Sequence, residues 1–407
     1  MLGTARQQSG GPRCALVWRD IGGYHAARSH VANRIPNLHV DTIEVLESAV
    51  FAEFRAEVSG TSPFPRHELK LAPPMRAPSV RGPLHALLDR LSPDVVFAPG
   101  WSMLEALLAI EWCALKSVPL VIMSESTRHD ATRSPAKEQV KRRIVGLAAA
   151  ALVGGGPQAD YVVDLGMPRD RVFLGYDIVD NDHFAANAAR VREQAPALRA
   201  RHRLPERYFL CCARLVAKKN VPRLIEAVAA YRAAAGSDAW ELIVVGPGPL
   251  QAEIEETIAA RGLGDAVHLV GARGYAELPV YYGLASAFIL PSTIDQWGLV
   301  VNEAMASGLP VLVSKRCGCT HDLVQEGRNG FTFDPYDIGA MADAMRRIAS
   351  DDCDRAAMGA ASRAIVAEWG PDRFVAGFEA AAWTAIEAPK THVSVADRLL
   401  LRALTWR

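Results

Sequence analysis

Residues 291–310 constrain the fold of this chain more than any other stretch; they read PSTIDQWGLVVNEAMASGLP. The apolar run AFIL lies directly before them, and a second apolar run begins at Pro310. A short strand that stops at Pro291, a polar loop, an apolar helix and a Gly-Leu-Pro stop are typical of a strand–helix–strand unit. This stretch therefore predicts an α/β sheet.

Two acidic residues, Asp295 and Glu303, lie eight positions apart on this unit. Asp295 is in the loop after the first strand, and Glu303 is about a turn and a half into a mostly apolar helix. A carboxylate on so apolar a helix costs free energy unless a polar group meets it. Because open α/β sheets bind ligands at this edge, where helix N-termini offer free N–H groups, the two acids indicate a ligand site.

The stretch resembles the signature of retaining glycosyltransferases of the GT-B group, and most closely that of their family 4. The family has Glu, seven residues and a second Glu, followed by Ala-Met-Ala-x-Gly-x-Pro. Glu303 stands at the second Glu, and Asp295, an acid shorter by one methylene, stands where the first Glu is usual. The resemblance implies an α/β fold of two Rossmann-like domains that face each other across a cleft.

The chain has 407 residues, which is long for one domain and sufficient for two. With the resemblance, the order of strands and turns predicts an N-terminal Rossmann-like acceptor-binding domain over residues 1–185 and a connector over 186–206. We expect a C-terminal Rossmann-like domain that binds the nucleotide sugar over 207–370. Residues 371–407 are then a C-terminal helix that crosses back to the first domain, followed by a tail.

A basic pair, Arg214 and Lys219, lies across a predicted strand–helix turn and matches the family's Arg-x4-Lys feature. When a nucleotide sugar breaks at its diphosphate, negative charge develops on the leaving phosphate, and without a metal ion fixed cations must stabilise it. We therefore predict that this pair is catalytic and holds the diphosphate, with Lys218 as a neighbouring alternative. The other interpretation is solvent-facing charge, which is usual for Arg and Lys.

The resemblance implies further donor contacts in the second half of the chain. Asp295 is expected to act in catalysis by contacting hydroxyls of the transferred sugar, and Glu303 is expected to bind the ribose hydroxyls. Both assignments come from the matching positions of the family motif. The remaining donor-binding predictions are turn or helix-start residues, where a donor can approach the backbone closely or meet a polar side chain: Gly246, Arg273, Gly298, Leu299 and Thr320.

In the first half, an apolar strand runs into Gly22 and Gly23 and then into a helix-like segment, the usual opening of a Rossmann-like domain. The family has a comparable glycine-rich loop here, so we expect this pair to line the cleft beside the acceptor. In a polar run after a later strand, Glu125 is predicted to bind the acceptor and His129 to orient the acceptor or the sugar. The alternative for His129 is a loop histidine bonded to Asp130.

Two segments depart from the alternation of strands and helices. Residues 52–82 are rich in Pro, Arg and Ser, and we expect a long excursion from the sheet that contacts the acceptor. The tail from Pro389 carries several leucines, Trp406 and arginines. It is interpreted either as a helix packed on its own domain or as a basic amphipathic helix resting on a membrane surface.

Composition excludes several classes of function. Lys plus Arg and Asp plus Glu number 45 each, so no global basic field favours a nucleic-acid partner. The seven scattered cysteines indicate a reducing compartment, and neither a signal peptide nor a transmembrane run is expected. Asp180-Asn181-Asp182 has the spacing of a metal motif from another transferase fold, but capping explains it better. We expect no metal site, and a cytoplasmic location with possible peripheral contact at the inner membrane face.

These features predict a retaining glycosyltransferase that moves a hexose-type sugar from a nucleoside diphosphate sugar to an acceptor hydroxyl. No cofactor is expected, since the nucleotide sugar is a co-substrate, and the acceptor is a glycan, a lipid-linked molecule or a small molecule. Two alternatives remain open at this stage. One is a nucleotide-sugar epimerase of the same architecture, and the other is a non-catalytic protein that binds nucleotide sugars.

Overall fold

A computed structural model describes residues 11–47, 64–72 and 75–406, which form two parallel sheets covered by helices. The first sheet contains β1 (Arg13–Trp18), β2 (His39–Glu47), β3 (Arg66–Leu71), β4 (Val95–Pro99), β5 (Leu120–Ser124), β6 (Ala150–Val153) and β7 (Val172–Leu174). Its spatial order is β3-β2-β1-β4-β5-β6-β7, and every neighbouring pair is parallel.

The second sheet repeats this plan. It contains β8 (Tyr208–Cys212), β9 (Glu241–Val245), β10 (Val267–Gly271), β11 (Ala287–Leu290), β12 (Val311–Ser314) and β13 (Gly330–Phe333). The spatial order is β10-β9-β8-β11-β12-β13, again with parallel neighbours. Two doubly wound parallel sheets confirm the predicted α/β class.

The helices of the first half are α1 (Gly23–Ala32), α2 (Ala77–Leu91), α3 (Leu104–Lys116), α4 (Pro135–Val145) and α5 (Gly156–Asp164). Those that follow are α6 (Asn181–Glu193), α7 (Ala195–His202), α8 (Val221–Ala235), α9 (Gln251–Ala260), α10 (Leu278–Leu284), α11 (Leu299–Ala306) and α12 (Thr320–Leu323). The last are α13 (Ile338–Ala349), α14 (Arg355–Ala367), α15 (Pro371–Glu387) and α16 (Val395–Thr405). Three-residue 3₁₀ turns lie at Arg169–Arg171, Ala217–Lys219 and Gly236–Asp238.

Strand order explains which loops meet. In both sheets the order reverses beside the first strand, so β1 lies against β4 and β8 lies against β11. Ligands of open α/β sheets bind at such switch points, outside the carboxyl ends of the strands. The loop after β8 and the loop after β11 therefore come together, although about 80 residues separate them in the sequence.

The predicted excursion over residues 52–82 is wrong for its C-terminal part, while residues 48–63 and 73–74 lie outside the described residues. Arg66–Leu71 forms edge strand β3 beside β2, and helix α2 begins at Ala77. The strand reads RHELKL, and charged residues are common on edge strands because they block pairing with other chains. Because the strand contains no run of apolar residues, its sequence does not indicate a buried strand.

The chain crosses between the two sheets twice. Helix α6 packs on the second half, where Phe184 is fully buried. Helix α15 returns to the first half, where Phe374 and Phe378 are buried and the ring of Phe378 stacks on Phe97 at 4.0 Å between centroids. The final helix, α16, packs on α3 through buried Leu401. None of the helices among the described residues is long and apolar enough to cross a membrane.

The two halves are in contact where three consecutive glycines, Gly154–Gly156, end strand β6. A Cβ atom on Gly155 would lie 2.7 Å from the ring of Trp297 and 2.2 Å from a carboxylate oxygen of Asp322, both in the second half. The amide of Gly156 donates to Asp322 at 3.0 Å, and Gln158 donates to the carbonyl of Gln296 at 2.6 Å. The absence of side chains at the glycines therefore permits this close approach.

We predict that Gly155→Ala destabilises the protein by about 1–3 kcal/mol, the usual cost of overpacking, because its methyl group would overlap Trp297 and Asp322. Gly264→Ala is the matched control, since no atom lies within 4 Å of its Cβ position. Urea unfolding of both variants measures the difference. Equal stabilities of the two variants would contradict the contact described here.

Candidate functional site

Lys219 and Asp295 form an ion pair at the switch point of the second sheet. The Lys219 ammonium lies 2.5 Å from a carboxylate oxygen of Asp295, and only 14% and 12% of the two side chains is exposed. The hydroxyl of Ser292 donates to the same carboxylate at 3.3 Å. Asn220, next to the lysine, donates to the carbonyl of Pro291 at 3.0 Å and so ties the two loops together. The structure thus brings two of the predicted catalytic residues into contact.

The loop that carries Asp295 leads into helix α11 through Gly298, whose φ of 104° lies in the left-handed region. A side chain there would be strained and would also approach Leu290 at 3.1 Å. Leu299 is the first residue of the helix, so its amide is among the N–H groups without a partner inside the helix. The predicted pair Gly298 and Leu299 therefore lies beside the ion pair and offers N–H groups to an anion.

Glu303 is completely buried, and both of its carboxylate oxygens accept hydrogen bonds from tyrosines. Tyr282, from the same half of the chain, donates at 2.6 Å, and Tyr24, from helix α1 of the other half, donates at 2.5 Å. Burial raises the pKa of Glu303 from 4.5 to about 7, although the two tyrosine hydrogen bonds act to lower it. The expected polar partner of this carboxylate is therefore a pair of tyrosines that joins the two halves.

Arg214 follows strand β8 and is exposed. Within the described ranges its guanidinium has neither a hydrogen bond nor an ion pair, in contrast to Lys219. Gly246, predicted to let the donor approach, lies against the chain itself: its φ is 136°, and a Cβ atom would lie 2.2 Å from the carbonyl oxygen of Ala213. This glycine is required by the packing of the turns after β8 and β9.

The two other predicted donor contacts have partners inside the second half. Arg273 donates to the hydroxyl of Tyr281 at 2.6 Å, and its guanidinium also binds the carbonyl of Ala272 at 3.0 Å. Thr320 donates its hydroxyl to the carbonyl of Ser314 at 2.8 Å and is nearly buried. Both polar groups therefore stabilise turns in this structure, and a role toward a donor stays a prediction.

Gly22 and Gly23 lie at the start of helix α1, directly before Tyr24. No atom lies within 4 Å of a Cβ position on Gly22, and one on Gly23 would lie 3.9 Å from the ring of Tyr275 in the second half. Gly23 therefore lies within contact distance of the second half, and the space beside Gly22 is open. Because Tyr24 bonds to Glu303, this loop is held close to helix α11.

Glu125 lies at the edge of a cluster of charges in the first half, whose other members, Arg28 and Asp177, are buried. Its carboxylate lies 4.0 Å from Arg28, which is 1% exposed and donates to fully buried Asp177 at 3.0 Å. Burial and the neighbouring charge of Glu125 raise the pKa of Asp177 well above its ordinary value, although Arg28 opposes this. About a third of the Glu125 side chain is exposed, so its carboxylate remains accessible.

His129 lies on an exposed loop of the first half. Its backbone carbonyl accepts a hydrogen bond from Arg316 of the second half at 3.4 Å. The carboxylate of Asp130 is bound by Arg133 and by the amide of Thr127. This loop therefore contacts the second half beside the loop that carries Asp295, because the side chain of Gln296 donates to Asp130 at 3.5 Å.

Several residues of the site were missed from the sequence: Tyr24, Arg28, Asp177, Tyr282 and Trp297. Tyr24 directly follows the predicted glycine pair, and this position was the one local indication that Tyr24 belongs to the site. Its partner lies 279 positions away, and a single sequence contains no information on such a pairing.

The described residues contain no group of three or more potential metal ligands. In the Asp180-Asn181-Asp182 stretch, Asp180 accepts from the amide of His183 at 2.9 Å and caps helix α6. Capping was the expected explanation of this sequence. Cys317 and Cys319, which lie two positions apart in the sequence, are buried free thiols.

Comparison with known proteins supports this picture of the second half. Residues 195–365 match the family model described as glycosyl transferases group 1. An alpha-D-kanosaminyltransferase of Streptomyces kanamyceticus is 30% identical over 246 residues, which are 58% of this chain and 62% of that protein. A GDP-mannose-dependent alpha-(1-6)-phosphatidylinositol monomannoside mannosyltransferase of Mycolicibacterium smegmatis is 34% identical over 196 residues, 46% of this chain and 49% of that protein. The chain thus spans less than two thirds of either relative.

Solved structures show the fold over 90% of this chain. Anabaena Alr3699/HepE, solved in complex with UDP and glucose, has a TM-score of 0.70 and 17% identity, covering 90% of this chain and 98% of that one. A sucrose-phosphate synthase from Thermosynechococcus elongatus has a TM-score of 0.70 and 20% identity, covering 90% and 97%. The predicted GT-B architecture of two Rossmann-like domains is confirmed.

We predict that Glu303 makes the stability of the protein depend on pH. Because its folded pKa of about 7 lies above the ordinary 4.5, its contribution is complete at acidic pH and is lost as the pH rises through about 7. Relative to Glu303→Gln, the wild type should lose about 2–3 kcal/mol of unfolding free energy between about pH 5 and about pH 8. Urea unfolding of both proteins across this pH range measures the difference. If the unfolding free energies of the two proteins changed in parallel with pH, the raised pKa of Glu303 would be contradicted.

Proposed function

We propose that this chain is a retaining glycosyltransferase of family 4. It transfers a hexose-type sugar from a nucleoside diphosphate sugar to an acceptor hydroxyl, without a metal or other cofactor, in the assembly of a glycan, polysaccharide or glycolipid. The observation that carries the proposal is the Lys219–Asp295 ion pair at the start of helix α11, which also holds Glu303. The family model, the transferase names of the relatives and the UDP and glucose bound in the Anabaena structure support it.

The charges of the site suit a diphosphate leaving group. Lys219 is neutralised by Asp295, so the pair alone has no net charge to offer a phosphate. Exposed Arg214 and the free N–H groups at Gly298 and Leu299 supply the additional positive charge. In this proposal Arg214 and Lys219 stabilise the charge that develops on the leaving phosphate, while Asp295 fixes hydroxyls of the transferred sugar.

Glu303 binds the ribose hydroxyls in this proposal, which requires an exchange of hydrogen bonds. Both of its carboxylate oxygens accept from tyrosines in the present conformation. A ribose hydroxyl can replace the hydroxyl of Tyr24 with little net cost, because one O–H···O⁻ hydrogen bond replaces another. The donor then enters when the loop of Gly22 and Gly23 moves away from helix α11, and closure afterwards excludes water.

The acceptor lies against Gly22, Gly23, Glu125 and the His129 loop in this proposal. The acceptor oxygen attacks the anomeric carbon on the face from which the diphosphate leaves. The bond from that carbon to the phosphate oxygen breaks, the new glycosidic bond forms, and the acceptor proton passes to the leaving phosphate. Retention follows because attack and departure occur on the same face.

Transfer is preferred over epimerisation because the matched relatives are named as transferases. Incubation with the donor alone separates the two, since an epimerase would convert the donor without an acceptor.

All seven cysteines are free thiols, which supports a reducing compartment and hence the cytoplasm as the place of reaction. The donor base can be identified by thermal shift against UDP, GDP and ADP sugars, because a ligand that binds only the folded state stabilises it.

We predict that Arg214→Ala and Lys219→Ala each lower the turnover number by at least about 100-fold, the usual loss when a group that stabilises transition-state charge is removed. Lys218→Ala is the matched control, because Lys218 is the adjacent exposed lysine and its backbone carbonyl, not its side chain, bonds to Thr293. Steady-state kinetics with the donor found by thermal shift measures all three. If the turnover number fell only in Lys218→Ala, the diphosphate would have to be assigned to Lys218 and not to Lys219.

Asp295→Ala tests the second partner of the ion pair. We expect transfer to be abolished while the nucleoside diphosphate still binds, because Asp295 is assigned to the sugar and not to the phosphates. Calorimetric titration with the nucleoside diphosphate supplies the binding control. If Asp295→Ala retained wild-type turnover, or if Asp295→Glu created turnover in a wild type that has none, the catalytic assignment would be wrong.

A further inference from the structure

Helix α16 exposes large apolar side chains to solvent. Val395 and Leu399 on this helix, and Trp406 directly after it, are 73%, 66% and 81% exposed. Their spacings of four and seven residues place them on one side of the helix. Scattered apolar residues on a surface are ordinary, but three on the same helical stripe form a patch.

The opposite side of the helix is fixed to the first half of the chain. Leu401 is fully buried, Asp397 bonds to Arg143 of helix α4 at 2.6 Å, and Thr405 accepts from Arg81 of helix α2 at 2.7 Å. Ser394 and Asp397 form a capping box that sets the start of the helix. The apolar patch is therefore held outward by contacts in which its own side chains take no part.

The outward side is also basic. Arg398 and Arg402 are exposed beside the patch, and the Arg402 guanidinium also lies 3.4 Å from the carboxylate of Glu111 on helix α3. The one acidic residue of α16, Asp397, faces the protein and is neutralised by Arg143. An apolar stripe flanked by cations is complementary to a surface that carries negative charge on its outside and has an apolar layer beneath.

We propose that this face of α16, made of Val395, Arg398, Leu399, Arg402 and Trp406, docks on an anionic lipid surface with the helix axis parallel to the membrane. The apolar side chains would enter the boundary between headgroups and acyl chains, and the arginines would meet the lipid phosphates. Tryptophan suits this depth because its ring is apolar and its N–H needs a polar partner. The proposal rests on this helix alone and does not depend on the donor site.

The size of the face favours a membrane over a protein partner. A helix of 11 residues is roughly 16 Å long and roughly 10 Å wide, far less than the roughly 800 Å² per partner of a stable protein interface. A lipid surface needs no such area, because a few inserted side chains and nearby cations suffice for reversible binding.

The test is flotation of the full chain with vesicles of phosphatidylcholine, with or without phosphatidylglycerol. We expect the wild type to bind only the vesicles with phosphatidylglycerol, and less strongly as salt is added. Leu399→Glu combined with Trp406→Glu should weaken binding by at least about tenfold, since both inserted side chains become charged. Arg398→Gln, a milder change, should weaken it about fivefold.

Ile338→Glu combined with Trp383→Glu is the matched control, because it adds the same charge at two exposed apolar residues of helices α13 and α15. Circular dichroism and melting temperature confirm that each variant is folded. The proposal is overturned if the wild type does not bind phosphatidylglycerol vesicles, or if the control loses binding equally. It is also overturned if sedimentation velocity shows that the α16 variants abolish a dimer while vesicle binding is unchanged, since the face would then join two copies of the chain.

Discussion

The ion pair between Lys219 and Asp295 is the interaction on which this account of the site depends. Its two members come from the turns after β8 and β11, which are neighbours only because the strand order reverses at β8. An ion pair that is mostly buried costs desolvation free energy, and removing one partner leaves the other charge uncompensated. A protein that retains such a pair at a sheet edge, beside the free N–H groups of a helix, has positive and negative groups ready for a charged, hydroxyl-rich ligand.

A second buried carboxylate links this site to the other half of the chain. Glu303 accepts from Tyr282 of its own half and from Tyr24 of the opposite half, so the opening is closed at that point by one hydrogen bond. Around it, Gly154–Gly156 lie against Trp297 and Asp322. The contact between the two halves therefore includes a few polar groups and glycines that leave room for the opposite side chains.

Much of the fold was predictable because buried parallel strands are short apolar runs that end in glycine or proline. Strand β11 agrees to the residue with the apolar run AFIL that precedes residue 291. Edge strand β3 was missed because Arg66, Glu68 and Lys70 are charged, so the strand does not stand out as an apolar run. At the site, local motifs identified Asp295 and Lys219, but the partnership of Tyr24 with Glu303 arises only when the two halves meet. Likewise, Gly246 and Thr320 were predicted as donor contacts, and the structure adds that Gly246 packs closely on Ala213 and that Thr320 bonds to Ser314.

A crystal structure of the chain with a bound nucleoside diphosphate tests the central claim most directly. The account predicts a phosphate oxygen within about 3 Å of the Lys219 ammonium, ribose hydroxyls on the Glu303 carboxylate, and the hydroxyl of Tyr24 released from Glu303. A nucleotide bound in another crevice, with Glu303 still held by both tyrosines, would contradict it.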